Sequence, residues 1–331
     1  MEPLIIPVAS GKGGVGKTML TANLAIALAR QGHRTIVADL DFGAANLHSF
    51  LQLSNDNPGI GDYLMARTAE LSELLVTTPD PHLHLLPGDG QTPFMANLTY
   101  AHKVRLINAL RQLDCRYLLL DLGAGSAFNT LDFFLISDHG LLVATPDLPS
   151  AMNLMVFTKN LVLRLISRAI KRDERLTAIL KEVQTRPLRA PATTVEMMLA
   201  RIDEHDSVIA EKIAARLARL TPRIVLNMGE HPDEIFMAEK IGSNLRQRLS
   251  VEIECLGFIG RDPQVRQSIS DGQAFLPSYP DTLAARDIEQ LCQRVVANRR
   301  WPLVDTIEAL HREAQQWLPA ARQQTDRKHK K

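Results

Sequence analysis

Cysteine is scarce. The 331 residues hold three, Cys115, Cys255 and Cys292, far apart and with no C-x-x-C pair. This excludes a disulfide framework and a thiolate metal knuckle, and it fits a reducing compartment. An excess of one charge is also missing. The formal net charge of +1 argues against a strongly basic nucleic-acid binder, though not against a local basic patch. No uninterrupted apolar run approaches the roughly 18 residues that a membrane-spanning helix needs. Met1-Glu2-Pro3 leads straight into a strand-like run, with no basic and then apolar leader, so no secretory signal is expected. These absences point to a cytoplasmic protein. What is present is ordinary for a globular chain: 45% apolar and 23% charged residues. The length suits one large α/β domain or two smaller ones.

One stretch organises the rest. Gly11-Lys12-Gly13-Gly14-Val15-Gly16-Lys17-Thr18 fits G-x-x-x-x-G-K-[ST], the phosphate-binding P-loop. Leu4 to Ala9 before it reads as a short buried strand, and Met19 to Arg30 after it as a helix rich in Ala and Leu. Strand, glycine loop and helix in that order are the context the motif needs. The glycines let the backbone curl with its N–H groups inward, and the positive end of the helix adds to this nest for phosphate oxygens. Lys17 is expected to reach the β- and γ-phosphates, and the Thr18 hydroxyl to bind Mg²⁺.

Two more segments carry carboxylates at strand ends. Thr35 to Asp39 is β-branched and apolar, and it runs into Asp39-Leu40-Asp41-Phe42-Gly43-Ala44-Ala45-Asn46. Side chains two apart on a strand face the same way, so Asp39 and Asp41 can both look toward the P-loop. The carboxyl ends of parallel strands are where open α/β sheets place ligands. Tyr117-Leu118-Leu119-Leu120-Asp121-Leu122-Gly123-Ala124-Gly125 is a fully apolar strand ending in Asp, a Walker B segment. Asp121 is expected to hold Mg²⁺ through water, and Gly123 to let the backbone approach the γ-phosphate.

Lys12 adds a lysine early in the loop, where a general P-loop leaves the position free. With D-x-D-x-G-x-x-N at Asp39 to Asn46 and D-x-G-A-G at Asp121 to Gly125, the chain resembles the MinD/ParA/Mrp class of deviant Walker A P-loop ATPases, and within it the MinD/FlhG (FleN, YlxH) group. The resemblance covers roughly residues 3–160 and 222–298. It implies a doubly wound, mainly parallel sheet with helices on both faces. It implies ATP and Mg²⁺ as cofactors, slow hydrolysis, and an ATP-dependent homodimer in which Lys12 reaches the partner's nucleotide. By the same resemblance Asp41 orients the attacking water, Asp39 sits near the Mg²⁺ shell, and Asn227, after the strand Arg223 to Met228, contacts the adenine. The catalytic set is thus Lys12, Lys17 and Asp41; the cofactor set is Gly11 to Thr18 with Gly123 and Asn227; the metal set is Thr18, Asp39 and Asp121. The strand starts at Leu4, and the segment preceding it in FlhG proper has no counterpart here, which leaves a GTPase-stimulating role without support.

The organisation expected is an ATPase domain over 1–298 with a helical insert at about 160–221, then a helix and basic tail over 299–331. Thr193 to Leu220 reads as helical. From Lys159 to Arg223 there are 14 Lys/Arg against 8 Asp/Glu, which reads either as a solvated amphipathic surface or as a docking face for a partner, a membrane or DNA. Val304 to Leu318 reads as a helix, and the tail ends in Arg327-Lys328-His329-Lys330-Lys331. Peripheral docking at the inner face of the membrane and a soluble frayed end both remain open for it. The leading process is spatial regulation, with flagellar placement the best single choice. A ParA-like DNA-bound ATPase is the rival. An Mrp-like iron–sulfur carrier is disfavoured, because a bridging cluster needs close thiolates.

Overall fold

The computed structural model describes residues 2–88, 98–170, 173–185, 194–297 and 306–316. Its centre is an eight-stranded sheet. The strands are β1 (Leu4–Ser10), β2 (Thr35–Leu40), β3 (Val76–Thr77), β4 (Leu83–Leu86), β5 (Tyr117–Leu122), β6 (Leu141–Ala144), β7 (Arg223–Gly229) and β8 (Glu254–Gly260). Their order across the sheet is β3-β4-β2-β5-β1-β6-β7-β8. Every pairing is parallel except β3 with β4 at the edge. The two-residue β3 is not legible in the sequence, since it is too short to show alternation.

The doubly wound expectation is met, and the strands show why. Leu118, Leu120 and Leu122 of β5 enter one apolar cluster, while Tyr117 and Leu119 enter the other. Alternation across a strand buried on both sides supplies both faces of the sheet from one apolar run. The first helix, α1 (Lys17–Arg30), has no polar face. Met19 through Ala29 is buried without interruption. A helix that is apolar all round has to lie inside, and α1 is covered by the helix Leu283–Ala297 on its outer side.

Beyond β6, the helix Leu148–Ile170 runs unbroken past residue 160. Three helices follow: Glu174–Thr185, Val195–Asp203 and Ser207–Arg219. The sequence reads Thr193 to Leu220 as helical, and the structure resolves it into two helices with a break at 204–206. The break has a local cause. Asp206 is an N-cap whose carboxylate accepts from Ile209 N at 2.9 Å, just as Thr194 caps the helix before it by accepting from Met197 N. Residues 306–316 form one more helix, with Ile307 and Leu310 in the core. Trp317, Leu318 and the basic end at 327–331 lie outside the described residues, as does the Arg186 to Pro191 linker.

Ile213 and Leu217 of the last inserted helix share one apolar cluster with Leu154, Phe157 and the strand residues beneath them. The insert is therefore part of the main core. Ile213→Ala, at a site 1% exposed, is expected to lower the stability of the whole chain by about 2–5 kcal/mol in a single denaturation transition. An unchanged midpoint, or a separate early transition, would show the insert to be an independent appendage.

Candidate phosphate-binding site

The glycine loop leaves β1 at its carboxyl end, with β5 on one side and β6 on the other. Gly14 and Gly16 both have positive φ, 79° and 81°. Gly16 is also the N-cap of α1, and a Cβ there would lie 2.3 Å from Asn227 Nδ2. Only glycine satisfies the dihedral and the close approach together. On its other side the loop rests on the helix Leu148–Ile170, where a Cβ at Gly11 would strike the Asn153 backbone at 2.4 Å. At Gly13 and Gly14 nothing lies within 4 Å of an added Cβ, so the outer surface of the loop is open.

Beneath the loop, Lys17 Nζ donates to Asp121 Oδ1 at 2.7 Å, with Lys17 7% and Asp121 0% exposed. Thr21 Oγ1 lies 3.1 Å from the same oxygen. The Thr18 hydroxyl faces this carboxylate and is 3.4 Å from Lys17 Nζ. Asp121 Oδ2 is buried and has no hydrogen-bond partner among the described residues. Burial pushes the Asp121 carboxyl up, while the Lys17 ammonium and the Thr hydroxyls pull it down.

Asp39 stands directly opposite Asp121 in the β2–β5 register. It is 2% exposed. Both its oxygens hold the segment that follows it: Oδ1 accepts from Asp41 N at 3.1 Å and Oδ2 from Leu47 N at 3.0 Å. Burial, then the charge of Asp121, raises its pKa to about 7 against these bonds. Asp41 is half-buried and faces Gly123; a Cβ at Gly123 would be 3.2 Å from Asp41 Oδ1. The structure thus brings Lys17, Thr18, Asp39, Asp41, Asp121 and Gly123 to one place.

Lys12 and Asn227 sit at its edges. Lys12 Nζ lies 3.3 Å from Asp147 Oδ1 of its own chain and is one-third exposed. Asp147 caps the helix Leu148–Ile170 through Ser150 N and also bonds Thr145 Oγ1; although burial opposes them, these bonds and Lys12 hold its carboxyl below the usual range. Asn227 Nδ2 donates to Val15 O at 2.8 Å, so this buried amide braces the loop from β7. Thr21 and Asp147 touch Asp121 and Lys12, and motif reading gives neither a role. Thr21 follows Lys17 by four residues, and that helical spacing is the one signal that could have singled it out.

Among the described residues no cluster of three or more His, Cys, Asp or Glu could hold a metal ion alone. The residues present fit a cation that comes with a phosphate. A buried carboxylate oxygen lacks a partner, a hydroxyl stands beside it, and an open glycine nest adjoins both.

The CobQ/CobB/MinD/ParA nucleotide binding domain model matches residues 6–275. The chain belongs to this family. As a family member it is 36% identical over 149 residues to the septum site-determining protein MinD of Helicobacter pylori, a match covering 44% of this chain and 54% of that protein, so the chain spans about half the length of that relative. It is 25% identical over 306 residues to the antiactivator FleN of Pseudomonas aeruginosa, covering 92% and 89% of the two chains. Among solved structures, the septum site-determining protein MinD of Pyrococcus horikoshii complexed with Mg-ADP superposes with a TM-score of 0.56 at 21% identity, over 89% of this chain and 97% of that one. That likeness is one of fold. The resemblance drawn from Lys12 and the two Asp motifs is thereby met at the level of the family.

For this member of the family, the pKa of Asp39 sets a pH dependence. A carboxyl at about 7 in the folded chain, against an ordinary value of 3.8, binds more protons folded than unfolded between those values. Stability therefore falls as pH rises from about 4 to 7. Asp39→Asn removes this contribution and is expected to flatten the slope of stability between pH 5 and pH 8, read by urea unfolding of nucleotide-free protein. An equally steep slope in the variant would mean that Asp39 is already ionised at pH 5.

Proposed function

We propose that this chain is an ATP·Mg²⁺-binding, slowly hydrolysing switch that pairs face to face with a second copy and acts by binding and release in spatial regulation, at the membrane or on a protein partner. The observation that carries this reading is the buried Lys17–Asp121 pair with the partnerless Asp121 Oδ2 beside an open glycine nest. Lys17 would leave Asp121 for the β- and γ-phosphates. Asp121 and Thr18 would then hold Mg²⁺, with Asp39 beside Asp121 in the sheet. The metal would supply charge neutralisation at the γ-phosphate. Asp41 would orient water, and Gly123, against which it lies, would register the γ-phosphate. Asn227 would contribute at the adenine side as well as bracing the loop.

Lys12 is the residue of the dimer. One-third exposed and held by an ion pair at 3.3 Å, it sits in a weak contact that another anion could replace. Beside it the helix Leu148–Ile170 exposes Leu148, Met152 and Val156, spaced four apart as an apolar stripe. A second copy seated over the loop would cover that stripe. In the same reading residues 1–298 form the ATPase domain, and 299–331 act with the insert in docking.

The DNA-bound alternative receives less support. Of the basic residues in the insert region, Arg164 and Arg168 pair with Asp132, Arg216 and Arg219 with Asp138, and Arg223 with Glu254. Cations held this way add little to a phosphate-binding patch.

Two variants test the switch. Lys12→Ala is expected to bind ATP at wild-type strength yet stay monomeric, and Asp41→Ala to bind ATP, hydrolyse at least tenfold more slowly and accumulate dimer, both read by light scattering with ATP and Mg²⁺. A normal ATP dimer in Lys12→Ala would remove the cross-interface role. Asp41→Ala loaded with ATP, with Lys17→Ala as the empty control, is expected to sediment with anionic liposomes or to remain free of both lipid and duplex DNA at physiological salt. Binding to DNA alone would move the protein to the ParA-like reading.

A further inference from the structure

Thr21 lies one helical turn beyond Lys17 in α1 and is 0% exposed. Its Oγ1 is 2.9 Å from Lys17 O and 3.1 Å from Asp121 Oδ1. A hydroxyl carries one proton, so it donates to one of these acceptors at a time. While Lys17 Nζ sits on Asp121 Oδ1 at 2.7 Å, that oxygen already has a charged donor, and the Thr21 proton can serve the Lys17 carbonyl. With Lys17 in place Thr21 is the lesser, uncharged donor to Oδ1; with Lys17 elsewhere that oxygen depends on it.

Asp121 is fully buried, and a buried carboxylate without a cation and without donors is costly. Its ammonium partner can depart only as another cation arrives at Oδ2, the oxygen that has no partner. At that moment Oδ1 loses its charged donor. Thr21 Oγ1 is already in place at 3.1 Å, and rotation of its proton about the Cβ–Oγ bond completes the exchange with no heavy atom moving. We propose that Thr21 is a positioning residue for the metal-binding carboxylate. It takes over Asp121 Oδ1 when Lys17 turns to a phosphate, and so keeps Oδ2 directed at the cation. This rests on the nucleotide reading above and adds to it the group that replaces Lys17. Serine carries the same proton. Valine has the shape of threonine without it.

The test is a titration of purified full-length protein with a fluorescent ATP analogue, once in Mg²⁺ and once in EDTA. In EDTA no cation relieves Lys17, Asp121 keeps its partner, and Thr21 has no new acceptor to serve. Thr21→Val is expected to lose about tenfold in affinity in Mg²⁺ and less than twofold in EDTA, while Thr21→Ser stays within twofold of wild type in both. Thermal melting of nucleotide-free Thr21→Val is expected to match wild type, since Lys17 holds Asp121 in that state. Equal losses in Mg²⁺ and EDTA, or no loss in either, would overturn the proposal. So would a failure of Thr21→Ser to retain the Mg²⁺ increment. Where the valine variant does not fold, Thr21→Ala removes the same proton with less bulk and is held to the same outcome. A wild-type protein with no Mg²⁺-dependent binding would fail the nucleotide reading itself, and this inference with it.

Discussion

A fully buried carboxylate has to have a cation. Asp121, at the end of the central strand β5, meets that requirement through Lys17 at 2.7 Å, and much of the site follows. The pair fixes the first residue of α1 against β5, and so fixes the glycine loop that joins β1 to α1. It also charges the neighbourhood: Asp39 faces Asp121 in register and is pushed to about 7 by burial and by that second carboxylate. Removing one member of such a pair leaves the other uncompensated, at about 3–5 kcal/mol. The arrangement is therefore stable as it stands, with one oxygen of Asp121 paired to the lysine and the other, Oδ2, without a hydrogen-bond partner among the described residues.

Part of this was legible in the sequence. The P-loop is local: eight residues between a strand and a helix, whose glycines and lysine carry their meaning in their spacing. Asp39, Asp41 and Asp121 were legible as carboxylates at strand ends. Their meeting was not, because β2 and β5 are separated by about eighty residues and their adjacency is a property of the sheet order. Asp147 stands apart from the P-loop in the sequence, and nothing local couples it to a lysine 135 residues earlier. Asn227 shows the limit from the other direction. Resemblance gave it a base-side role, and the structure adds a buried bond to Val15 O that no motif contains. The break at 204–206 was within reach, since Asp206 and Thr194 are both cap residues, but the apolar periodicity of the two helices runs through them and masks the stop.

The segment after Gly123 is tied outward by charge. The helix Phe128–Phe134 carries Asp132, which is 4% exposed and receives Lys103 from the helix Tyr100–Gln112 and a two-pronged contact from Arg164 on the helix Leu148–Ile170. Arg164 also lies over the Phe128 ring at 4.6 Å. Just past that helix, Asp138 receives Arg216 and Arg219 from the last inserted helix, and Arg216 donates to Leu135 O at 3.1 Å. Bidentate, partly buried contacts of this kind fix orientation more firmly than surface pairs do. The residues that follow Gly123 thus share their position with the helix that bears the exposed apolar stripe and with the insert.

That sharing bears on why the insert region carries an excess of basic residues. A docking face for a polyanion needs cations that are free to lose their counterions. Here Arg164, Arg168, Arg216 and Arg219 are instead distributed onto two carboxylates of a single short stretch, Asp132 and Asp138, both on the segment that follows the Walker B strand. Burial alone would raise the Asp132 carboxyl; Arg164 and Lys103, from two further helices, hold it below the usual carboxylate range. Part of the basic bias is thus taken up by packing this acidic segment against the neighbouring helices. These pairs balance charge inside the molecule, whereas Leu148, Met152 and Val156 beside Lys12 form an exposed apolar stripe on the same helix as Arg164 and Arg168.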